Sequence, residues 1–516
     1  GPAQSANRRK STERNIYKNS TGTKVWFEEK NLELGLTFRY GWTSSEKFGI
    51  VRCVWIQNDS DTPVTAAVLD GCRNILPACV TSDFQNANSI LLDAYKKTEM
   101  IRDVNLALFS VSSIVTDKAE PNEGLYANIG WFSTDDRLIL SPDAPEKFAL
   151  AVQDGIRSVQ QKMPCPDTVK GARPSYFICR TITLNPAGAD GSSDSWMQIF
   201  DTEKDASGVA DIARRLDDRK GLCAETLKDI SDGEERMRSL ISAADGIQRT
   251  ADKMTALHHE ANVMFNIMRG GIPADGGLID KNDFIDFVKT RNRKLAAEAK
   301  NLCAEFGDKT EPELFMASVG AAKNPQLARL AYEYVPLTFS RRHGDPSRPW
   351  NRFSIKLRNS DGSPVLNYEG NWRDIFQNWE ALAWSYPVFA KNFCMKFLSA
   401  ITPDGFNPYR ITRNGIEWEE PDPDNPWAQI GYWGDHQVIY LAKLLEFLDM
   451  TDSDGLVSML GAKICSTADV PYRLKSYSEI LADPRNSIVF DRKLSDRLKN
   501  ASEENGTDGK LVSGKD

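Results

Sequence analysis

The sequence has 516 residues, more than a single domain usually holds, so we expect two to four domains. Hydrophobic residues make up 41% of the chain and charged residues 26%, a composition that excludes disorder as the main state. The net charge of −8, with no dominant basic tract, argues against nucleic acid as the main partner.

The sequence also lacks the signals of a membrane protein or a metalloprotein. No apolar run approaches the roughly 20 residues that a membrane span needs. The opening GPAQSANRRKSTERN has no hydrophobic segment of the signal-peptide kind. The nine Cys are odd in number and unpatterned, which predicts reduced thiols and a cytoplasmic location. The four His have no metal-like spacing, so we expect no metal site and no bound cofactor.

Residues 24–200 are predicted to form an antiparallel β-sandwich. Runs such as FGIVRCVWIQ and SYFICRTITL are rich in aromatic and β-branched residues, and Gly, Pro, Asn and Asp separate them at short intervals. The segment APEKFALAVQDGIRSVQQKM predicts a short helix within this domain.

The composition changes near Asp201, after which the chain is charged and rich in Ala and Leu. We interpret residues 201–272 as a helical linker that ends at Gly270–Gly271. From 273 to 495 amphipathic helices alternate with long polar loops, which favours an α-hairpin bundle or an α/α barrel. The polar, Gly-rich residues 496–516 predict a disordered tail.

One short segment, NWRDIFQN, combines charges, amides and aromatic rings. In a helix, Arg373, Asp374 and Gln377 share one face near the first turn, and aromatic residues including Trp372 lie around them. Sugar hydroxyls both donate and accept hydrogen bonds, and the C–H face of a pyranose packs on an aromatic ring, so this surface suits a carbohydrate. The alternative is a surface Arg-Asp pair above a Trp-rich core.

Two further loops carry the same kinds of residue. The segment 336–353 contains a basic run that includes Arg342 and His343. The segment 413–440 contains Trp433, Asp435 and His436 just before the apolar helix QVIYLAKLLEFL, so Asp435 could also act only as a helix N-cap. A basic loop near aromatic and carboxylate loops predicts a sugar site with an anion beside it.

These motifs resemble those of the inverting disaccharide and oligoglucan phosphorylases, such as cellobiose phosphorylase, of the glycoside hydrolase family 94 type. NWRDIFQN, followed about sixty residues later by GYWGDHQVIYLAKLLEF, is similar to that family's Gly-aromatic-Arg-Asp-x-x-Gln-Asp motif and the aromatic-Ser-Asp-Asp before an apolar helix. The resemblance implies a β-sandwich, a helical linker and an α/α barrel of six helical hairpins in this order.

The sequence departs from the family pattern at three places. Asn378 stands where the family has a second Asp, and Trp433-Gly434 precedes a single Asp435. The family's catalytic Asp lies in a later Trp-Asn-Asp segment that this sequence does not contain. The resemblance therefore implies an incomplete barrel, with the C-terminal remainder of the protein or a second chain completing it and supplying the acid.

The resemblance implies inverting phosphorolysis of a β-glucoside-type di- or oligosaccharide, with inorganic phosphate as co-substrate and a homodimer as the assembly. By resemblance Arg373, Asp374 and Gln377 hold the sugar, and Asp435 and His436 line the same pocket, with Asp435 the first candidate for a catalytic role in this chain. Charge alone assigns phosphate to Arg342 and His343. The alternatives are an inverting glycoside hydrolase, with Glu419, Glu420 or Glu380 as base, and a non-catalytic carbohydrate-binding or scaffold protein.

Overall fold

The computed structural model describes residues 11–113, 124–156, 159–343, 354–359, 362–403, 405, 407, 410–418, 420–421, 438–462 and 464–513. The chain forms two compact units, unit 1 (residues 1–238) and unit 2 (residues 239–516). Each unit has its own core and is described by itself.

Unit 1 is built on two antiparallel sheets. Its strands are β1 (Thr12–Lys18), β2 (Val25–Asn31), β3 (Leu36–Ser45), β4 (Gly49–Asn58), β5 (Val64–Arg73), β6 (Lys96–Ile101), β7 (Leu106–Val111), β8 (Tyr126–Phe132), β9 (Arg137–Ile139), β10 (Thr168–Lys170), β11 (Ser175–Leu184) and β12 (Ser193–Asp205). Nine strands pair in the order β1-β2-β3-β4-β12-β8-β7-β6-β10, and three pair in the order β5-β11-β9.

The two sheets share a core because their strands alternate in side-chain direction. In β4, Val54 and Ile56 point inward and join Tyr176 and Ile178 of β11 in one buried cluster. Val51 of the same strand points to the opposite face of the nine-stranded sheet, where a second cluster forms. This arrangement gives the sheet an inner face toward the second sheet and an outer face.

Helices cover parts of both outer faces. They are α1 (Ser82–Asp93), α2 (Ala144–Gln153), α3 (Val159–Lys162), α4 (Ala206–Arg215) and α5 (Arg219–Ala243). Apolar residues of α2 and α3 pack on the three-stranded sheet. On the nine-stranded sheet, Val209 and Ile212 of α4 and Leu222 and Ile230 of α5 join the cluster around Val51.

The predicted N-terminal antiparallel β region is confirmed, with differences at its edges. It begins with β1 at Thr12 rather than at residue 24, because the sequence TERNIYK is polar and gives little strand signal. The helices α4 and most of α5 belong to unit 1 rather than to a separate linker, since their apolar residues pack on the sheet. The short helix expected after Ala144 is present as α2.

Unit 2 is mainly helical. Its helices are α6 (Lys253–Gly270), α7 (Lys281–Arg291), α8 (Ala296–Cys303), α9 (Pro312–Ala321), α10 (Pro325–Glu333), α11 (Trp372–Ser385), α12 (Ala390–Leu398), α13 (Val438–Gly461), α14 (Tyr477–Ala482) and α15 (Arg492–Asn505). The helix α6 ends where predicted, with Gly271 at a φ of 85° after its last residue.

The strands of unit 2 are short. They are β13 (Ile272–Pro273), β14 (Ile279–Asp280), β15 (Lys309–Thr310), β16 (Leu337–Thr338), β17 (Arg341–His343), β18 (Ser354–Ile355), β19 (Glu369–Asn371), β20 (Arg410–Thr412), β21 (Gly415–Glu417), β22 (Ser466–Ala468), β23 (Tyr472–Leu474), β24 (Ile488–Phe490) and β25 (Leu511–Ser513). Within the described residues they pair only in twos and threes, and every pair is antiparallel. The helical character of this region agrees with the sequence patterns, and the closed barrel stays a prediction.

The C-terminal residues correct one expectation. Residues 496–513, whose polar composition predicts disorder, instead complete α15, a 3₁₀ turn (Thr507–Lys510) and β25. The reason is specific contacts rather than composition: Leu498 is buried, and Asp508 accepts hydrogen bonds from two buried arginines. Composition does not detect such a long-range ion pair.

Candidate functional site

The NWRDIFQN segment begins a helix directly after a strand. β19 ends at Asn371, which takes the N-cap position of α11 with φ −66° and ψ 147°. Asp374 lies in the first turn, where the helix macrodipole favours a negative charge. β19 pairs with β20, so the start of α11 is held against a small antiparallel sheet. The structure thus places the predicted sugar-binding residues at the N-terminal end of a helix, as the sequence indicated.

The aromatic residues of this segment are core residues. Trp372, Phe376 and Trp379 each have 0% of their surface exposed. Trp372 and Phe376 make edge contacts with Phe397 of α12 at centroid distances of 4.8 and 4.7 Å, and Trp379 stacks on Phe393 at 4.8 Å. The interpretation of these rings as an open platform around the charges is therefore wrong, and the Trp-rich core describes them.

Two buried polar groups beside these rings lack hydrogen-bond partners within the described residues. They are the indole N–H of Trp372 and the hydroxyl of Tyr368. The indole N–H of Trp379, by contrast, donates to the carbonyl oxygen of Gly270 at 2.8 Å. A buried donor without a protein acceptor is uncommon, so a ligand or an undescribed residue is expected to accept from Trp372. Contact between Trp372 and a substrate remains a prediction.

The polar residues of the motif differ in exposure. Gln377 is exposed and Asp374 is half-buried, while the side chain of Arg373 lies outside the described part of the chain. Asn378 is buried, and its side-chain amide donates to the backbone oxygen of Asp374 one turn earlier. This hydrogen bond spans one turn of α11. It explains how Asn378 fits at a position where the family that the motif resembles has an Asp.

The basic segment lies next to this helix start. β17, which carries Arg342 and His343, contacts β19, which leads into Trp372. The structure therefore brings the backbones of the predicted phosphate-binding and sugar-binding segments together, although it does not describe the side chains of Arg342 and His343. Trp433, Asp435 and His436 lie outside the described residues, so their place in the site stays a prediction.

A buried charge cluster, which the sequence did not indicate, joins α7, α10, α12 and the C-terminal turn. Glu333 accepts from Arg291 at 2.7 Å and from Arg329 at 2.5 Å. Asp508 accepts from Arg291 at 2.6 Å and also from Arg329. The Nζ of Lys396 lies 4.0 Å from Glu333. We call these five residues the charge cluster.

Exclusion from water affects the pKa of two members of the charge cluster, Glu333 and Lys396. Burial by itself raises the pKa of Glu333, but the charges of Arg291 and Arg329 outweigh it and bring the pKa to about 2. Burial lowers the pKa of Lys396 well below its ordinary value. Because Glu333 is fully buried and doubly paired, its role is to hold helices together rather than to exchange protons with a substrate.

The pKa of the Asp283 carboxyl is shifted upward, opposite to that of Glu333. Burial raises its pKa even though Arg413 and Tyr334 both donate to its Oδ2 at 2.6 Å. Perturbed carboxyl groups occur in active sites and also in structural ion pairs. Since both of its partners are held within unit 2, Asp283 links α7 to α10 and to the turn after β20. No local sequence pattern indicates this group, because its partners lie 51 and 130 residues away along the chain.

The described part of the chain contains no cluster of three or more His, Cys, Asp or Glu side chains arranged to hold a metal ion. None of its helices is both long and apolar enough to cross a membrane.

Comparison with known proteins gives one family match. Residues 275–336, which contain α7 to α10, match the model described as Glycoside hydrolase family 149 insertion domain 1. The matched model comes from a glycoside hydrolase family, and the match does not distinguish a phosphorylase from a hydrolase. The sequence patterns predict a barrel that begins at residue 273, whereas the beginning of that range matches the model of an insertion domain.

The other comparisons add less. No curated protein matches the chain. Solved structures that resemble it include one described as "Putative kojibiose phosphorylase from human microbiome", with 7% identity and a TM-score of 0.24. The alignment covers 87% of this chain and 55% of that one, so the chain spans just over half of its length. A TM-score this low does not define a shared fold.

Proposed function

We propose that this chain is part of a carbohydrate-active enzyme that cleaves a β-glucoside-type di- or oligosaccharide by inverting phosphorolysis. The observation that carries the proposal is the contact between β17 and β19, because it puts a basic segment beside the start of a helix that bears an Arg-Asp-x-x-Gln motif. The match of residues 275–336 to a glycoside hydrolase insertion domain supports the substrate class.

In this proposal the two segments divide the work of binding. Arg373, Asp374 and Gln377 hold the hydroxyl groups of the glycosyl unit at the cleavage point. The indole N–H of Trp372, which has no hydrogen-bond partner among the described residues, donates to the same sugar. Arg342 and His343 hold inorganic phosphate, which arginine binds through its planar fork of donors. Trp433, Asp435 and His436 complete the pocket.

The reaction needs one acid and one nucleophile. A carboxylic acid transfers its proton to the glycosidic oxygen as the bond from that oxygen to the anomeric carbon breaks. A phosphate oxygen forms a new bond to the anomeric carbon from the opposite face, which inverts the configuration and yields a sugar 1-phosphate. The acid comes from the C-terminal remainder or from a second chain, and Asp435 is the first candidate if it comes from this one. No other cofactor is required, and we expect a homodimer.

Hydrolysis on the same scaffold would need a carboxylate base that activates water. Of the available glutamates, Glu420 pairs with Lys499 and accepts from Ser495 at 3.0 Å, and Glu380 lies 3.3 Å from Lys443. The hydrogen bond from Lys499 lowers the pKa of Glu420, which makes it a weaker base. Glu419 lies outside the described residues. These contacts leave Glu420 and Glu380 engaged with lysines, so neither is a ready base for the hydrolytic alternative.

The proposal is tested by incubating the protein with β-linked glucose disaccharides, with and without inorganic phosphate, and measuring sugar 1-phosphate and free sugar. We expect sugar 1-phosphate only when phosphate and the completing polypeptide are present. Release of free sugar at the same rate without phosphate would identify a hydrolase. A monomer of 57.7 kDa with full activity would show that no second polypeptide is needed.

Calorimetry tests the binding residues separately from turnover. Asp374→Asn keeps the volume of the side chain and removes a charged acceptor, so we expect loss of disaccharide binding with little change in thermal stability. Asp454→Asn, at an exposed position of α13, is the matched control and should bind as the unaltered protein does. Equal affinity in both variants would remove Asp374 from the site.

A further inference from the structure

Unit 1 contains an aromatic cleft that lies outside the candidate site. It has a volume of about 680 Å³ on the outer face of the nine-stranded sheet, and Tyr17, Trp26, Arg39, Trp55 and Leu227 are among its lining residues. Small-molecule sites commonly occupy clefts of roughly 300–1,000 Å³ with mostly apolar walls and a few polar groups. We call this feature the sheet cleft.

Strand register places the ring-bearing residues on one face. Tyr17 of β1 pairs with Trp26 of β2, Trp26 pairs with Gly41 of β3, and Gly41 pairs with Cys53 of β4. Directly paired residues of antiparallel strands point to the same side of the sheet. The next row pairs Arg39 with Trp55. Adjacent strands from β1 to β4 thus present these rows on the outer face, opposite the core between the sheets.

The indole of Trp26 lies across its neighbouring strand. A methyl group placed at Gly41 would be 2.5 Å from Cδ2 of Trp26, closer than real contacts allow. Gly41 therefore leaves room for the ring to lie flat over the sheet. The helix α5 covers the adjoining part of this face, and its half-exposed Leu227 forms the edge of the cleft.

A buried carboxylate fixes two of the lining side chains. Glu28 has no exposed side-chain surface, and it accepts from Asn15 and from the hydroxyl of Tyr17, both at 3.0 Å, and from Nε of Arg39. Burial raises the pKa of Glu28, but these hydrogen bonds outweigh it and leave the pKa below its ordinary value. The guanidinium of Arg39 also stacks on Trp55, with 4.8 Å between its carbon and the ring centroid.

From these contacts we infer that the sheet cleft binds an oligosaccharide. The rings of Trp26, Trp55 and Tyr17 offer flat apolar surfaces for the C–H faces of sugar rings. The guanidinium of Arg39, held in place through Nε, directs donors to sugar hydroxyls. The hydroxyl of Ser133, which also lines the cleft, adds a further polar group. This site is separate from the proposed catalytic site, which lies in unit 2.

A proline-rich peptide also packs on Trp and Tyr rings, but its proline residues have no backbone N–H to donate. The cleft supplies a hydroxyl group that both donates and accepts: Ser133 accepts from the backbone N–H of Met197 at 2.8 Å and keeps its own hydrogen for donation. Sugar hydroxyls match that mixture better than a peptide does.

The test is isothermal titration of the full chain with three glucose hexasaccharides that have β-1,4, β-1,3 and α-1,4 linkages. We expect at least one to bind, and we expect Trp26→Ala to weaken that binding by about tenfold or more, which is about 1.4 kcal/mol. Gly41→Ala should have a similar effect, because the added methyl displaces the indole without removing any group. Arg39→Lys should bind more weakly because it loses the planar fork.

Two control variants show whether the sugar binds in the sheet cleft or elsewhere on the chain. Trp384→Ala removes a ring that is 62% exposed in unit 2 and should leave the affinity unchanged. Asp374→Asn alters the proposed catalytic site and should not change binding in the sheet cleft. Circular dichroism and thermal melting check that each variant is folded.

The inference is overturned if none of the hexasaccharides binds, or if folded Trp26→Ala and Gly41→Ala proteins bind as the unaltered protein does. It is also overturned if a proline-rich peptide binds in the cleft and the sugars do not. The same holds if the unaltered chain forms a dimer that binds no sugar and Trp26→Ala converts this dimer to a monomer.

Discussion

The aromatic rings of α11 and those of the sheet cleft look alike in sequence but occupy opposite environments. In α11 the rings at 372, 376 and 379 recur at helical spacing, so they fall on one side and enter the core of unit 2. In β2 and β4 successive side chains point to opposite faces of the sheet, so Trp26 and Trp55 lie on the outer face. An aromatic-rich segment therefore identifies a binding surface only after its periodicity has been considered.

The largest expected difference is in stability. Trp379→Ala should lower the free energy of unfolding of unit 2 by about 3–5 kcal/mol, because it removes a buried ring and its hydrogen bond to Gly270. Trp26→Ala should cost unit 1 much less, since its ring is partly exposed. Chemical denaturation followed separately for the two units measures both values. Trp384→Ala, in the same helix as Trp379 but exposed, is the control. Equal losses for Trp379 and Trp26 would contradict the comparison.

The next prediction concerns the charge cluster of unit 2. Asp508→Asn should destabilise unit 2 by about 3 kcal/mol, because Arg291 and Arg329 would stay buried with only Glu333 to balance them. Limited proteolysis should then cut within residues 492–513, which the ion pairs hold in place. Asp496→Asn, at an exposed position of α15, should change neither property. Resistance to cleavage in the Asp508 variant would show that the apolar contacts of α15 are sufficient.

The third prediction is the pH dependence of unit 2. The pKa of Glu333 falls from 4.5 to about 2 on folding, so the folded state binds fewer protons in this window. The stability that Glu333 contributes is complete above pH 4.5 and is lost as the pH falls toward about 2. Acid titration of Glu333→Gln should show a flatter decline over that window than the unaltered protein. Glu313→Gln, at an exposed position of α9, should decline as the unaltered protein does.

The smallest expected effect on stability is that of Gln377. Its side chain is exposed, so Gln377→Ala should change the free energy of unfolding by less than about 0.5 kcal/mol. If it supports the sugar as proposed, the same variant should weaken disaccharide binding measurably. A variant that alters stability but not binding would assign Gln377 to the fold instead.

The sequence predicted those parts of the fold that depend on local pattern. Alternating β-branched and aromatic runs indicated the antiparallel region, and Gly270–Gly271 marked the end of α6. The start of α11 at the NWRDIFQN motif was also predictable, because the residues that determine where a helix starts are neighbours in the sequence. The pairing of β17 with β18 and the contact of β17 with β19 were not predictable, because these strands are only two or three residues long.

The charge cluster was beyond prediction for a different reason. Arg329 and Glu333 are four residues apart in α10, a spacing typical of a solvent-exposed helix pair. Nothing in the local sequence indicates that Arg329 and Glu333 are both buried. Asp508 lies in a polar, Gly-rich stretch, and its partners Arg291 and Arg329 are 217 and 179 residues away along the chain. Only the three-dimensional packing shows that the carboxylate neutralises them.

These long separations have a consequence for biosynthesis. A ribosome adds roughly 5–20 residues per second, so Asp508 is made roughly 10–40 s after Arg329. During that interval α7 and α10 have Glu333 but not their second counter-charge, and their two guanidinium groups cannot both be buried at low cost. The helices of residues 275–336 are therefore expected to stay loosely packed on the ribosome, and to close only when the turn that carries Asp508 arrives.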